Sequence, residues 1–236
     1  GGPRTMRISP DEIVLWQYGF VRLTATVAFS WGVMLLLIAV SWFAGRRLTT
    51  GPRIGRLQNV LESIVGYMRG QIEEITRQEP GLFLPFLGTL FLFISLSNLM
   101  AVIPGFEPPT ASISTTGALA ACVFVAVPIF GIAQKGFTGY LKHYISPTPF
   151  MAPFHIIGEL SRTLALAVRL FGNIMSGTMI AAILLSVAPL FVPVLMQALS
   201  LLIGQIQAYI FAVLAAVYIG SATRAGLGGE EEGKKG

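Results

Sequence analysis

The composition of this 236-residue chain excludes a compact soluble enzyme, because charged residues make up only 11% of it and hydrophobic residues 54%. An average soluble domain carries roughly a quarter charged residues, enough to cover a globular surface. The apolar residues here lie in uncharged runs of about 20, the length that crosses a hydrocarbon core ~30 Å thick. The net charge of +5 includes no basic cluster interleaved with aromatic residues, which argues against a nucleic-acid partner. The composition therefore predicts a membrane protein.

Cysteine and histidine are too few for a disulfide framework or a metal centre. Cys122 is the single cysteine, and His143 and His155 lie twelve positions apart without a helical metal-binding pattern. Neither a metal nor another cofactor is expected. The ends of the chain, residues 1–5 and 226–236, are expected to be a leader and a tail outside one membrane domain of residues 6–225.

Five apolar segments predict an all-α polytopic protein with five transmembrane helices. They cover residues 23–44, 82–103, 113–134, 153–188 and 194–222. Arginines cluster directly after the first segment, at positions 46, 47, 53 and 56, and the positive-inside rule places such a cluster in the cytoplasm. Alternation of sides then places Lys135, Lys142 and Arg224 in the cytoplasm as well. The predicted topology has the N-terminus outside and the C-terminus in the cytoplasm.

An amphipathic helix is predicted between the first two spans, at residues 54–78. Its apolar residues recur every three or four positions, and charged residues occupy the rest of each turn. The recurring residues are Ile54, Leu57, Leu61, Ile64, Met68, Ile72 and Ile75. This pattern favours a place at the cytoplasmic membrane interface, with docking on a soluble partner as the alternative.

The fourth segment is unusually long and carries charge. As one helix it would extend over ~54 Å, which exceeds the thickness of the bilayer and favours a strongly inclined helix. One face of this helix is polar, and its members are His155, Glu159, Arg162, Arg169, Asn173 and Ser176. For His155, Glu159 and Arg162, snorkelling and pairing near the cytoplasmic end is as good an explanation as a role in ion transport.

Arg169 is different, because the sequence from Leu170 to Thr223 holds no acidic residue that could pair with it. An unpaired guanidinium at membrane depth costs at least ~2.5 to 3.5 kcal/mol on insertion scales. Arg169 therefore needs either a water-filled cavity around it or a carboxylate of another subunit facing it.

The fifth segment offers a polar face that can approach Arg169, because the short turn through Pro189 and Pro193 makes the last two segments an antiparallel hairpin. The residues of this face, at helical spacing, are Gln197, Ser200, Gly204, Gln207 and Phe211. Polar residues in membrane helices often serve only as interhelical hydrogen-bonding contacts. Packing and conduction therefore stay equal alternatives for each of them.

Several short motifs stand out along the chain, and the most specific of them is Arg169-Leu170-Phe171-Gly172-Asn173. The others are Leu160-Ser161-Arg162, Gly177, Ser97-Asn98-Leu99, Ile103-Pro104, Pro109-Thr110-Ala111, Lys135-Gly136-Phe137 and Gln207-Ala208-Tyr209-Ile210-Phe211. Together and in their order along the chain, they resemble subunit a of the rotary F-type ATP synthase, and the resemblance covers nearly the whole chain from Trp16 to Tyr218.

The resemblance implies a non-catalytic stator subunit, in a bacterial inner (plasma) membrane, whose long inclined hairpin lies against a rotating ring of c subunits. It implies that Arg169 is the ion gate facing the ring carboxylates, that Gln207 is associated with Arg169, and that two offset half-channels carry ions to and from the ring. The implied partners are the c-ring, b-type subunits of the peripheral stalk, the remainder of the complex, the lipid bilayer and translocated H⁺ or Na⁺. A fixed positive charge favours the ionised ring carboxylate and blocks direct passage of an occupied site between the half-channels.

The sequence departs from the family at positions that often hold ionisable groups. Ser112 and Thr178 stand where relatives often have acids, Ser200 stands where many have a histidine, and His155 stands where many have an acid. We therefore expect the outer half-channel to be a hydrated polar cleft rather than a relay of titrating side chains, and the coupling ion stays open. The candidates for lining the cleft are Asn98, Ser112, Asn173, Thr178, Ser200 and Gln207. Further half-channel candidates are Ser176, His155, Glu159 and Arg162.

Two alternatives remain. A stand-alone channel or secondary transporter would use Arg169 to bind an anion and should bind substrate when purified alone, whereas a stator should co-purify with a c-ring and a peripheral stalk. An assembly protein would use the hairpin only for docking and should tolerate replacement of Arg169 in an assembled complex.

Overall fold

The computed structural model describes residues 14–18, 21–46, 56–103, 106, 108–145, 152–187 and 192–224. Within these residues the chain forms six α-helices, as expected of a polytopic helical membrane protein. They are α1 (Ala25–Arg46), α2 (Arg56–Thr76), α3 (Leu84–Met100), α4 (Ile113–Ile145), α5 (Ala152–Val187) and α6 (Val192–Arg224). The predicted leader and tail, and the side chains of His155 and Thr178, lie outside the described part of the structure.

The all-α prediction describes the chain from Ala25 onward, and a short antiparallel hairpin precedes that point. Strands β1 (Val14–Tyr18) and β2 (Val21–Thr24) pair with Trp16 opposite Leu23. Aromatic and β-branched residues favour a pleated strand, and a two-residue connection is the commonest hairpin length. The predicted first span had included residues 23 and 24, which belong to β2.

Three helices are long and apolar enough to cross a membrane, within Thr26–Phe43, Ile113–Gly136 and Val194–Thr223. The helix α3 is shorter, at 17 residues, and extends over about 25 Å. The helix α5 has 36 residues but is interrupted by charged side chains. The five-span topology thus remains a prediction for α3 and α5.

The helix α4 continues past the predicted end of the third span at residue 134 and reaches Ile145. It changes direction at Gly136, whose backbone has φ 73° and ψ 163°. Glycine adopts positive φ at little cost because it has no Cβ. Hydropathy located the end of the apolar run, but helical hydrogen bonding resumes beyond the kink.

The helix α6 forms the centre of the bundle and packs against α2, α3, α4 and α5. Its inward face is rich in small residues, which let neighbouring backbones approach closely. Ala208, Ala215 and Ile219 are fully buried on this face. The buried residues that the other helices bring to it include Phe83, Leu87, Ile94, Val123, Leu166 and Leu170.

The apolar face of α2 packs on the bundle of the same chain, in its C-terminal half. Met68, Ile72 and Thr76 are buried there against α6 and α3. The hydroxyl of Tyr209 in α6 donates a hydrogen bond of 2.6 Å to Oε1 of Gln71. The sequence pattern had favoured a membrane interface or a soluble partner for this face, because amphipathicity identifies an apolar face but not what covers it.

Candidate functional site: an exposed arginine and a polar cavity

Arg169 lies on a face of α5 that is turned away from the bundle. Leu166 and Leu170, its neighbours toward the core, are 1% and 0% exposed, whereas Arg169 itself is exposed. Among the described residues, no carboxylate forms an ion pair with its guanidinium. Within the described structure, the chain therefore presents an unpaired cation on the outer face of a helix whose other face is packed.

Two further members of the predicted polar stripe lie on the same exposed face of α5. Arg162 and Ser176 stand seven residues before and after Arg169, and both side chains are exposed. The guanidinium carbon of Arg162 lies 5.8 Å from the centre of the Tyr218 ring of α6, within the range of a cation–π contact. The contact between Arg162 and Tyr218 was not predicted, because no motif links the two positions.

A cavity of ≈ 290 Å³ opens between α3, α5 and α6. Four residues that the sequence nominated for the outer cleft or the half-channels line it: Asn98, Asn173, Ser176 and Ser200. Gly177 permits the close approach of α5 and α6 here, since a Cβ at this position would lie 3.2 Å from Oγ of Ser200. The volume has room for on the order of ten water molecules.

The described residues that line the cavity are neutral. Amides, hydroxyls and apolar groups line it, and none of the lining residues that the structure describes is acidic, basic or histidine. The hydroxyl of Ser200 is exposed and, within the described structure, has no hydrogen-bond partner in the protein. Such groups bind water and weakly coordinate cations but do not exchange protons near neutral pH.

Other nominated residues lie away from this cavity. Ser112 is buried at the start of α4, where its Oγ lies 2.6 Å from Oγ of Ser114. Gln207 is only 6% exposed, and its Nε2 has no hydrogen-bond partner within the described structure. Glu159 is half-buried on α5 and, like Arg162, does not line the cavity. The single face predicted for α6 thus divides between the cavity wall and the bundle interior.

Several polar contacts that join the helices were not predicted. Gln205 is not among the residues of the predicted polar face of the fifth segment, yet its side chain forms hydrogen bonds with both the hydroxyl and the carbonyl oxygen of Ser95 in α3. Nζ of Lys135 in α4 donates a hydrogen bond to the carbonyl oxygen of Ala222 in the last turn of α6. A cation at this position satisfies a carbonyl that the helix itself leaves unpaired.

Comparison with known proteins identifies the family. The family described as ATP synthase A chain matches residues 27–220. The chain is 62% identical to ATP synthase subunit a 1 of Chlorobium luteolum over 93% of its own length and 99% of the relative's. It is 57% identical to ATP synthase subunit a of Albidiferax ferrireducens, over 98% and 100% of the two chains. The resemblance inferred from the sequence motifs is thereby confirmed: this chain belongs to the ATP synthase A chain family.

Proposed function

We propose that the chain is the stator subunit a of a rotary F-type ATP synthase and that Arg169 is the ion gate facing the carboxylates of the c-ring. The observation that carries this proposal is the exposed guanidinium on the outer face of α5, with which no carboxylate of the described residues pairs. In hydrocarbon, such a charge is stable only if water or an anionic partner meets it. A ring of carboxylates that moves past α5 supplies that partner from outside the chain.

The gate works through electrostatics rather than through bond chemistry. A ring carboxylate opposite Arg169 is stabilised in its ionised form, so it releases its ion before it passes. Each elementary charge that crosses 100 mV supplies ~2.3 kcal/mol, and a direct path between the half-channels would dissipate it. A guanidinium suits this role because it keeps its charge in any environment and presents several donors in one plane.

The cavity between α3, α5 and α6 is proposed as the outer half-channel. It begins near Pro108, in the connection that the predicted topology places outside, and Asn173 brings it within about one helical turn of Arg169. The inner half-channel is proposed to pass Arg162, Glu159 and His155 at the other end of α5. Water-filled paths of this kind serve H⁺ and Na⁺ alike, and a sodium titration of ATP-driven transport in the intact complex distinguishes the two.

Replacement of Arg169 in the intact complex tests the proposal. We expect Arg169→Ala to abolish ATP-driven ion uptake by vesicles while the c-ring is retained, and Arg169→Lys to be severely impaired because an ammonium lacks the planar fork. Arg69→Ala, which removes an exposed cation from α2, is the matched control and should leave uptake unchanged. Normal coupled pumping by an assembled Arg169→Ala complex would refute the assignment.

Purification distinguishes the stator from the rival function, a stand-alone transporter that binds an anion at Arg169. The stator should co-purify with c subunits and b-type stalk subunits, and the isolated chain should bind no anion. Recovery of a monomeric chain that transports an anion with Arg169-dependent saturation would establish the rival instead. The membrane is proposed to be the bacterial plasma membrane, with the N-terminus outside and the C-terminus in the cytoplasm.

A further inference from the structure

Three polar contacts join α6 to α3 and to Ala101, the residue that follows α3, and two of the three are made by residues that line the cavity. At one end Gln205 is hydrogen-bonded to Ser95, and at the other Nε2 of Gln197 donates to the carbonyl oxygen of Ala101 at 2.9 Å. Between them, Nδ2 of Asn98 donates to the carbonyl oxygen of Gly204 at 2.7 Å. Interhelical hydrogen bonds of this kind hold membrane helices in register. The α3–α6 wall is therefore the fixed side of the cavity.

Asn98 also links α3 to the connection between α3 and α4. Its Oδ1 accepts a hydrogen bond of 3.1 Å from the hydroxyl of Thr110, which lies in the 3₁₀ turn Pro109–Ala111. Asn98 is 5% exposed and Thr110 is 0% exposed. Both polar atoms of the amide thus have partners within the chain, one on α6 and one on the turn.

Gly204 is required for this arrangement because the amide lies directly against its backbone. A Cβ at position 204 would lie 3.1 Å from Cβ of Asn98 and 3.2 Å from its Cγ and Nδ2. Real Cβ atoms rarely make contacts this short, so any larger residue would displace the Asn98 side chain. The Asn98 amide therefore packs directly on the Gly204 backbone, and both its hydrogen bond and its position depend on the absence of a side chain at residue 204.

We propose that Asn98 is a positioning residue of the outer access cavity, held by Thr110 and Gly204, and that it sets the width of the cavity rather than contacting the ion. This inference rests on the proposed function, since it assigns one wall of the same half-channel. The groups left to bind water in the cavity are then those without partners on α3, above all Ser200 and Asn173.

Replacement of Thr110 distinguishes the positioning role of Asn98 from direct contact between Asn98 and water or ions, because Thr110 itself does not line the cavity. If Asn98 served only as a contact for water or ions, removal of the Thr110 hydroxyl would leave transport unchanged. If Thr110 positions Asn98, its removal leaves Oδ1 as a buried acceptor without a donor. The amide then turns toward the polar volume beside it, which is the cavity, and narrows the path.

The test measures the accessibility of the cavity directly. For labelling, the intact complex carries Ser200→Cys in a Cys122→Ala background and is exposed from the outside to a membrane-impermeant maleimide. For ATP-driven uptake, the same variants are measured without Ser200→Cys, so that Ser200 is kept. Thr110→Val should slow labelling and uptake by roughly five-fold per assembled complex, whereas Thr110→Ser, which keeps the hydroxyl, should stay within about two-fold of the parent. Thr116→Val is the matched control, because Thr116 is equally buried but bonds only within its own segment.

The outcomes are distinguishable. Parent-like labelling and uptake in Thr110→Val, or equal loss in Thr110→Ser, overturns the positioning role and leaves the half-channel intact. Absence of labelling of Ser200→Cys in every background overturns the half-channel itself, and the inference with it. If Thr110→Val does not retain the c-ring, labelling and uptake are compared between the parent and Gly204→Ala. The methyl group added by Gly204→Ala would push the Asn98 side chain aside, so labelling should slow in the same way.

Discussion

Replacement of Ser200 decides whether the cavity conducts or merely separates packed helices. Ser200→Ala removes a hydroxyl that has no hydrogen-bond partner among the described residues of the protein. Its loss should cost only contacts with water, and we expect uptake to fall by no more than about three-fold. Ser200→Leu instead directs an isobutyl group toward the space beside Gly177.

The expected magnitude follows from the volume. The cavity of ≈ 290 Å³ holds on the order of ten waters, and the leucine displaces about three of them where α5 and α6 approach each other at Gly177. An apolar group there breaks the continuity of water across the path. We expect ATP-driven uptake to fall by more than about ten-fold, which corresponds to at least ~1.4 kcal/mol on the barrier.

The assay is ion uptake by vesicles that contain the intact complex, normalised to c-ring retention. Ala198→Leu is the matched control, because Ala198 is exposed on the same helix but does not line the cavity. The hydrogen-bonding alternative predicts the reverse order, with Ser200→Ala worse than Ser200→Leu. Full activity of an assembled Ser200→Leu complex would refute a conducting role for this cavity.

Two further predictions concern the contact between Lys135 and the end of α6, and the topology. Lys135→Met should destabilise the assembled complex by about 1 to 3 kcal/mol, because the Ala222 carbonyl loses a charged donor, whereas Lys135→Arg, which keeps a charged donor, should retain most of the stability. Thermal dissociation of the complex measures the stability of both variants. Equal stability of the parent and the two variants would contradict the role of this hydrogen bond. A cysteine placed at Arg53 should react with an impermeant thiol reagent only from the cytoplasmic side, and one placed at Glu107 only from the outside, so the opposite labelling would reverse the proposed orientation.

The helices were largely predictable because charges and prolines delimit the apolar runs. The fourth segment was expected at residues 153–188, and α5 covers Ala152–Val187. The seven-residue spacing of Arg162, Arg169 and Ser176 also fixed their common face, since that spacing is close to two helical turns. Helical periodicity is a local property, and one sequence is enough to determine it.

Contacts between helices could not be predicted in this way. Gln205 lies off the predicted polar face of its helix, yet it bonds to Ser95, 110 positions earlier in the chain. Nothing in the spacing of either helix indicates which neighbour each face meets. The spacing likewise did not indicate that Ser112 and Gln207 are buried and do not line the cavity between α3, α5 and α6.

The kink at Gly136 divides α4 into two parts that run in different directions. Residues before it belong to a segment long and apolar enough to span a membrane, and Lys135 is hydrogen-bonded to the end of α6. The direction of residues 137–145 depends on the backbone of Gly136, whose φ of 73° would cost a residue with a side chain on the order of 1 kcal/mol or more. A side chain at position 136 would therefore redirect the end of α4, while the Lys135 contact holds the part before the kink against α6.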